Sequence, residues 1–373
     1  MKKSLPLPKK DYNGDILLLV AVTVLALVGT VFIYSASNYS ALATYGDAFY
    51  FTKKQLIGIA LGVVAMTLTA LTDFNKLKKI TIPLCLIAVV LLVLVFIPGI
   101  GVENYGAKRW IGIGGLTLQP SEIAKFALIL FTATYVSSRP EKTKTFSGIL
   151  PVLGYGLTLC LLIITEPNMS ITVCVAGLMI TMLFVSGMKI KHMALLLVPA
   201  VIGAVVLIIA EPYRLDRLMA FLNPWSSPKG EGYQLLQSLY ALGSGGWFGV
   251  GLFNSRQKYA FLPFAESDFI LSVIGEEIGF IGLMFFFALL GFIIYRGLLI
   301  ASRANNVFGF MLAVGITMIF GIQTVINALV VTGSIPPTGL PLPLVSSGNT
   351  SIIIFMAEMG VLFNISRNRQ LTF

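Results

Sequence analysis

The sequence predicts an all-α polytopic membrane protein with ten transmembrane helices and one large polar segment outside the bilayer. Three observations lead there. Of the 373 residues, 57% are hydrophobic and only 11% charged, with mean hydropathy +0.90, whereas a soluble domain carries about 25% charged residues. The apolar residues gather in runs close to the roughly 20 residues that a spanning helix needs. Between the runs, Lys and Arg fall in short clusters. That is the pattern of membrane orientation, so the net charge of +10 does not argue for a nucleic-acid partner.

Ten runs qualify: 15–36, 55–72, 80–100, 121–138, 147–165, 168–187, 191–210, 269–295, 305–332 and 342–364. The first follows Lys2, Lys3, Lys9 and Lys10. It is too long for a signal-peptide core and lacks a clear cleavage site, so it is expected to remain as a helix. Basic residues orient the rest. Sixteen of the 26 lie at the N-terminus, at 76–79, 139–144, 189–191 and 296–303, and at the C-terminus, all of one parity. Short cytoplasmic loops carry this bias, so both termini are predicted to be cytoplasmic. Residues 101–120, 212–267 and 333–343 then face outward. The chain reads as one membrane domain over 1–373, with 212–267 as the large extracytoplasmic loop between helices 7 and 8. No internal repeat is visible.

Some chemistries are excluded early. Cys85, Cys160 and Cys174 all lie within apolar runs and their number is odd, which argues against a disulfide framework or a cysteine metal cluster. His192 is the only histidine and neighbours Lys189 and Lys191 in a short loop. A serine–histidine triad and a histidine zinc site are therefore not expected. Proton transfer falls to a carboxylate, lysine or tyrosine.

The strongest candidate is Asp268, where the 212–267 segment meets the apolar run opened by Phe269. A carboxylate at a half-dry boundary has its pKa pushed up, which suits a general base. Ser267 or Asp268 could equally be the N-cap of that span. Glu276 and Glu277 lie about 12–14 Å further along the same helix. An ionisable residue at that depth is a functional candidate by default. A structural ion pair with Lys125 is the competing account, and it could shape a polar cavity beneath the loop. Lys125 itself follows Glu122 by three residues at the start of the fourth span, where Ser121 is suited to N-capping and Glu122 to the helix dipole.

Lys108 and Arg109 beside Trp110, in a glycine-rich outer loop, run against the orientation bias. They suit a phosphate at headgroup level, or equally an anionic lipid. Gly243–Gly251 resembles a nucleotide fingerprint only superficially. The pattern requires glycine where Phe248 stands and a preceding strand, so flexible loop packing is expected instead. The proline-dense 333–343 segment predicts a rigid connection partly within the membrane.

Several blocks in order carry a family resemblance. They are Gly106-Ala-Lys-Arg-Trp-Ile111, Gln119-Pro-Ser-Glu-Ile-Ala-Lys125, Gly232-Tyr-Gln234, Gln237-Ser238 with Gly243-Ser-Gly-Gly246, and Ser255-Arg-Gln-Lys258. Asp268-Phe269 through Gly275-Glu-Glu-Ile-Gly279 and Pro336-Pro-Thr-Gly-Leu-Pro-Leu-Pro343 with Ser346, Ser347 and Gly348 complete the set. Over essentially its whole length the chain resembles the SEDS proteins, the RodA, FtsW and SpoVE group of peptidoglycan polymerases. The resemblance implies transfer of a growing glycan from undecaprenyl pyrophosphate to lipid II on the outer face of the bacterial cytoplasmic membrane. It implies Asp268 as the catalytic acid residue and a single-pass class B penicillin-binding protein as partner. The chain departs from the usual pattern at Phe264 (usually Glu), at Glu266 and Ser267 (usually His or Gln, then Thr) and at Asn349 (usually Gly).

The residues suit that chemistry. The acceptor hydroxyl loses a proton as it attacks the anomeric carbon, and one raised-pKa carboxylate can take it. The leaving pyrophosphate needs cations where its charge develops. Candidates are Lys108, Arg109, Arg256 and Lys258, with Arg214 and Arg217 behind them, and Gln234 as a further substrate contact. A divalent cation, Mg or Mn, could share the task, although no ligand spacing demands one. The rival expectations are a lipid II flippase, which would use Glu276, Glu277 and Lys125 near the midplane, and a non-catalytic scaffold of the cell-wall machinery. A flippase would favour inverted repeats and paired broken helices, which the sequence does not display.

Overall fold

The computed structural model describes residues 14–104, 107–113, 116–209 and 212–368. Lys2, Lys3, Lys9, Lys10 and Arg369 lie outside them. Helices occupy all ten predicted runs. They are α1 (Ile16–Tyr45), α2 (Tyr50–Leu71), α3 (Leu77–Leu94), α4 (Pro120–Ser138), α5 (Phe146–Thr165), α6 (Met169–Val185) and α7 (Ile190–Ile209) before the large segment. After α8 (Pro212–Leu222) and α9 (Tyr233–Gly245) within that segment come α10 (Ile270–Ser302), α11 (Val307–Val331) and α12 (Asn349–Arg367). Seven of them, α1, α2, α3 with its preceding turn, α5, α10, α11 and α12, are long and apolar enough to cross a membrane. The chain is thus a polytopic helical membrane protein.

One expectation is corrected: the chain is not purely helical. Three strands, β1 (Gly101–Asn104), β2 (Ala107–Ile113) and β3 (Leu116–Leu118), form an antiparallel sheet in the order β1-β2-β3. Val102 pairs with Trp110, and Ile111 with Leu118. Glycine content points to a loop, but Trp110, Ile111 and Ile113 are strand formers on a short ribbon. β3 packs against α12, and Thr350 Oγ1 donates to the Thr117 carbonyl at 2.9 Å. The sheet is thereby fixed over the end of the bundle.

α11 is the inner helix, packed against α10, α4, α6 and α12, with Phe308, Leu312, Ile316 and Ile319 fully buried. Close approach between α2 and α12 depends on Gly58 and Gly62. A Cβ at Gly62 would sit 2.4 Å from Met356 Sδ, and one at Gly58 2.8 Å from Ile352. Small residues one turn apart let two helices gain van der Waals contact where lipid offers no hydrophobic drive. At the far end, Asp15 caps α1 through Leu18 N (3.1 Å) and pairs with Arg296 of α10 at 2.6 Å, while its own N–H donates to Ser366. Helices α1, α10 and α12 are tied there through one buried residue, two by its carboxylate and the third by its backbone N–H.

Candidate active site

Asp268 sits immediately before α10, half-buried. The capping account does not hold: the N-cap of α10 is Phe269, and no side chain caps it. The Asp268 carboxylate is therefore not used by the first turn. Its Oδ1 accepts from Ser267 Oγ at 2.8 Å, and its backbone carbonyl accepts from Asn327 Nδ2 of α11 at 2.9 Å. The proline-dense connection closes over it. Asn327 also donates to the Leu340 carbonyl, Ser346 Oγ to the Ser267 carbonyl (2.6 Å), and Ser347 N to the Glu266 carbonyl (2.9 Å). A Cβ on Gly339 would lie 3.1 Å from Asp268 Oδ2, so this backbone passes directly over the acid.

Two guanidiniums act on Asp268: Arg109 from β2 and Arg217 from α8. Burial pushes its carboxyl above the ordinary aspartate range; the Ser267 hydrogen bond and the two arginines pull the other way. Glu266 is raised by burial too, and the Asp268 charge raises it further. Arg217 Nε donates to Glu231 at 3.2 Å. Arg109 is aimed by two main-chain carbonyls, Glu166 (3.3 Å from Nε) and Pro167 (2.5 Å from Nη2). Adjacent strand residues point to opposite faces. Lys108 accordingly stands exposed on the other side of β2 from Arg109.

The other predicted residues go elsewhere. Arg256 is exposed and Lys258 buried, and neither is among the charges acting on Asp268. Both belong to a cluster at Glu276 and Glu277. The Arg256 amide donates to Glu276 Oε1 (3.1 Å), and Lys258 Nζ donates to the Phe253 carbonyl within reach of Glu277. Gln234 is half-buried on α9. Arg214 belongs to α8, but its side chain lies outside the described residues.

Lys125 is not the partner of Glu276 or Glu277. It donates to Glu122 at 2.7 Å and to Gln323 of α11 at 2.8 Å, with all but 2% of its surface buried. Ser121 is not the cap of α4; Gln119 holds that position and Pro120 opens the helix, while Glu122 does fall in the first turn. The hydrogen bonds that the paired acids of α10 accept come from neutral donors, and Glu277 Oε2 accepts none among the described residues. Ser255 Oγ (2.5 Å) and Ser244 Oγ reach Glu276; Ser35 Oγ and Ser255 N reach Glu277. Hydroxyls and amides neutralise nothing, but they solvate a carboxylate where water cannot.

These acids mark a break in α10. Gly279 has φ 68 inside the helix. The Gly246–Gly251 segment, expected as flexible packing, docks into the gap: Val250 and Gly251 amides donate to the Glu276 and Glu277 carbonyls, and Phe280 and Ile281 amides donate to Gly246 and Trp247. A Cβ on Gly249 would meet the Glu277 carbonyl oxygen at 2.1 Å. The glycines serve close backbone approach rather than mobility. Among the described residues this is the one helix carrying such a break.

Sequence reasoning missed two carboxyls. Glu358 of α12, 2% exposed, lies within electrostatic reach of Lys125 and Glu122. Glu166, between α5 and α6, is 1% exposed, and neither carboxyl oxygen has a hydrogen-bond partner among the described residues. Burial pushes it up to about 8, against the pull of Arg109. A signal was present: Glu166 is the only acid between Glu141 and Glu211, and it stands at a break between two apolar runs.

A family model described as "Cell cycle protein", covering FtsW, RodA and SpoVE, matches residues 15–371. The chain belongs to this SEDS family. It is 39% identical to the stage V sporulation protein E of Bacillus subtilis over 359 residues, 96% of this chain and 98% of that protein. It is 40% identical over 358 residues to a probable peptidoglycan glycosyltransferase FtsW of Trichlorobacter lovleyi, covering 96% and 94% of the two chains. Among solved structures it is similar to a chain from work titled "Structural coordination of polymerization and crosslinking by a peptidoglycan synthase complex". That match has TM-score 0.80 and 26% identity over 96% of this chain and 98% of that one. The crystal structure of the Thermus thermophilus rod shape determining protein RodA is similar with TM-score 0.70 and 25% identity, covering 96% and 99%.

Proposed function

We propose that this SEDS protein is a peptidoglycan glycosyltransferase that polymerises lipid II on the outer face of the bacterial cytoplasmic membrane. The family membership and the FtsW-named relatives support the activity. One observation carries the site: Asp268 is a half-buried carboxylate unused as a cap, clamped by α11 and the 339–347 backbone, and facing Arg109 and Arg217. Asp268 takes the proton from the acceptor sugar hydroxyl as that oxygen attacks the anomeric carbon of the donor. The C–O bond to the diphosphate breaks, and Arg109 and Arg217 receive the negative charge that develops. Lys108, Arg214 and Gln234 are further candidate substrate contacts, while Arg256 and Lys258 secure the loop before Asp268.

All ten long helices cross the bilayer, with both termini cytoplasmic. This follows from the basic clusters and places the 212–267 segment, β1–β3 and Asp268 outside. An apolar groove of about 250 Å³ between α10 and α11, lined by Phe287, Leu290, Ile294, Val325 and Leu329, suits a polyprenyl chain. The partner is a class B penicillin-binding protein, in keeping with the similar chain from a peptidoglycan synthase complex. Among the described residues no group of three acids, histidines or cysteines could hold a metal by itself. A Mg or Mn ion fits only as a companion of the substrate diphosphate beside Asp268 and Glu266, the mode in which Mg²⁺ binds through one or two carboxylates plus phosphates.

The test uses purified full-length protein with its partner and lipid II in detergent. Wild type makes glycan polymer; Asp268→Asn makes none while keeping its melting temperature. Polymer at wild-type rates from Asp268→Asn would remove the base. A flippase would move lipid II without polymerising it. A scaffold would support growth as Asp268→Ala.

A further inference from the structure

Glu166 takes no part in the steps above. Leaving a carboxyl buried with neither oxygen paired is costly, and the cost is recovered if a bound molecule supplies the partner. The surroundings indicate which kind. The main-chain carbonyls of Glu166 and Pro167 hold the Arg109 guanidinium, and that same guanidinium acts on both Glu166 and Asp268. Glu166 therefore flanks the cation assigned to the diphosphate, on a connector independent of α10. An ionised carboxylate there would compete with an anion for Arg109. A neutral carboxylic acid would offer that anion one more donor.

We infer that Glu166 is a substrate-binding residue, a neutral carboxylic acid that donates a hydrogen bond to a diphosphate oxygen of the lipid-linked sugar held at Arg109. The substrate class rests on the proposed function; the role of Glu166 rests on its burial, its unpaired oxygens and the shared guanidinium. The charged group facing it is Arg109 of β2, and its own connector, Glu166-Pro-Asn168, adds no other charge. Burial keeps it protonated at neutral pH, up to about 8. Above that, the donor is replaced by a negative charge next to an anion.

The experiment measures binding of undecaprenyl diphosphate to full-length wild type, Glu166→Gln and Glu166→Ala in detergent between pH 7 and pH 9, with undecaprenol as the uncharged control. Only the protonated fraction binds well, so wild-type affinity should fall about tenfold across this range. Glu166→Gln, an isosteric donor that cannot ionise, should bind equally at both ends. Glu166→Ala should be about tenfold weaker throughout, and undecaprenol indifferent to all changes. Parallel loss of affinity in wild type and Glu166→Gln overturns the inference. So do flat wild-type binding, unimpaired Glu166→Ala, or no diphosphate binding at all. Polymer synthesis on the same preparations judges the glycosyltransferase separately: wild type that binds diphosphate in this pattern but makes no polymer counts against the activity and not against Glu166.

Discussion

Arg109 is asked to do two things at once, and replacing it by glutamine separates them. In the proposed reaction it receives leaving-group charge, and it lowers the pKa of Asp268 against the upward push of burial. The first role predicts a loss of kcat at every pH. Removing one preorganised donor from a developing anion costs about 10²–10³-fold in other enzymes, and Arg109 is preorganised by two carbonyls at 3.3 and 2.5 Å. The second role predicts a change in shape. A nearby opposite charge depresses a carboxylate by about 1–3 units. Arg217 also acts on Asp268, so losing Arg109 alone removes part of the opposing pull and should raise its pKa further. The base works only when ionised, so the acid limb of the rate profile moves to higher pH.

The assay is polymerisation of lipid II by the protein with its transpeptidase partner from pH 5 to pH 8. Arg109→Gln should lose more activity at the acid end than at pH 8, beyond the uniform loss. Arg109→Lys should keep the acid limb near its wild-type position while losing rate, because an ammonium supplies charge but not the two-pronged grip on both carbonyls. A uniform loss at all pH values in Arg109→Gln would refute the electrostatic link to Asp268. Glu266, two residues away and raised by Asp268, belongs to the same coupled titration, so the measured limb describes the pair.

Other perturbations follow from the packing. Gly249→Ala places a Cβ 2.1 Å from the Glu277 carbonyl at a φ of +80; it should lower the melting temperature in detergent and reduce polymerisation although it touches no reacting group, and an unchanged melting temperature would refute the docking of 246–251 into α10. Asp15→Ala removes the partner of Arg296, which is 18% exposed, and the cap of α1; a loss of about 3 kcal/mol should appear as a lower melting temperature with the acid limb of activity unmoved. Glu166 is raised from 4.5 to about 8 in the folded protein, so its contribution to stability is full below pH 4.5 and is lost as pH rises through 8. Glu166→Gln should therefore melt above wild type at pH 8, by up to ~5 kcal/mol, with the two curves converging near pH 5.

What the sequence revealed and what it hid divide along chain distance. Ten apolar runs became ten helices because hydropathy over 20 residues is a local property, and Asp268 stood out because a polar segment ended there. Pairings across the bundle were not legible. Lys125 finds Gln323 at a separation of 198 residues and Arg109 finds Glu166 at 57, and no local pattern announces either. Glu276 and Glu277 looked in need of a cation because the serines that solvate them, Ser35, Ser244 and Ser255, are dispersed in sequence. The β1–β3 ribbon was hidden by its glycines, and the break at Gly279 by the long apolar run that resumes directly after it.

That break bears on how an acid at a membrane surface can be held to catalytic precision. A carboxylate at the end of a 33-residue helix would inherit every bend of that helix. Breaking α10 at Gly279 leaves a short outer piece, 270–278, fastened independently on its several sides. Gly246–Gly251 plugs its lower end. Ser238 of α9 bridges Ser272 (2.8 Å) and the Val331 carbonyl of α11 (2.7 Å). Asn327 and Ser346 grip the backbone at its upper end. Helix-borne sites are more precise than loop-borne ones when a supporting shell locks them. Here the piece that follows Asp268 is fastened by contacts of its own, apart from the longer half of α10 beyond Gly279. Asn327→Ala, which frees the Asp268 and Leu340 carbonyls together, should therefore lower kcat more than it raises KM. Equal changes in both would place Asn327 in substrate binding instead of in holding the acid.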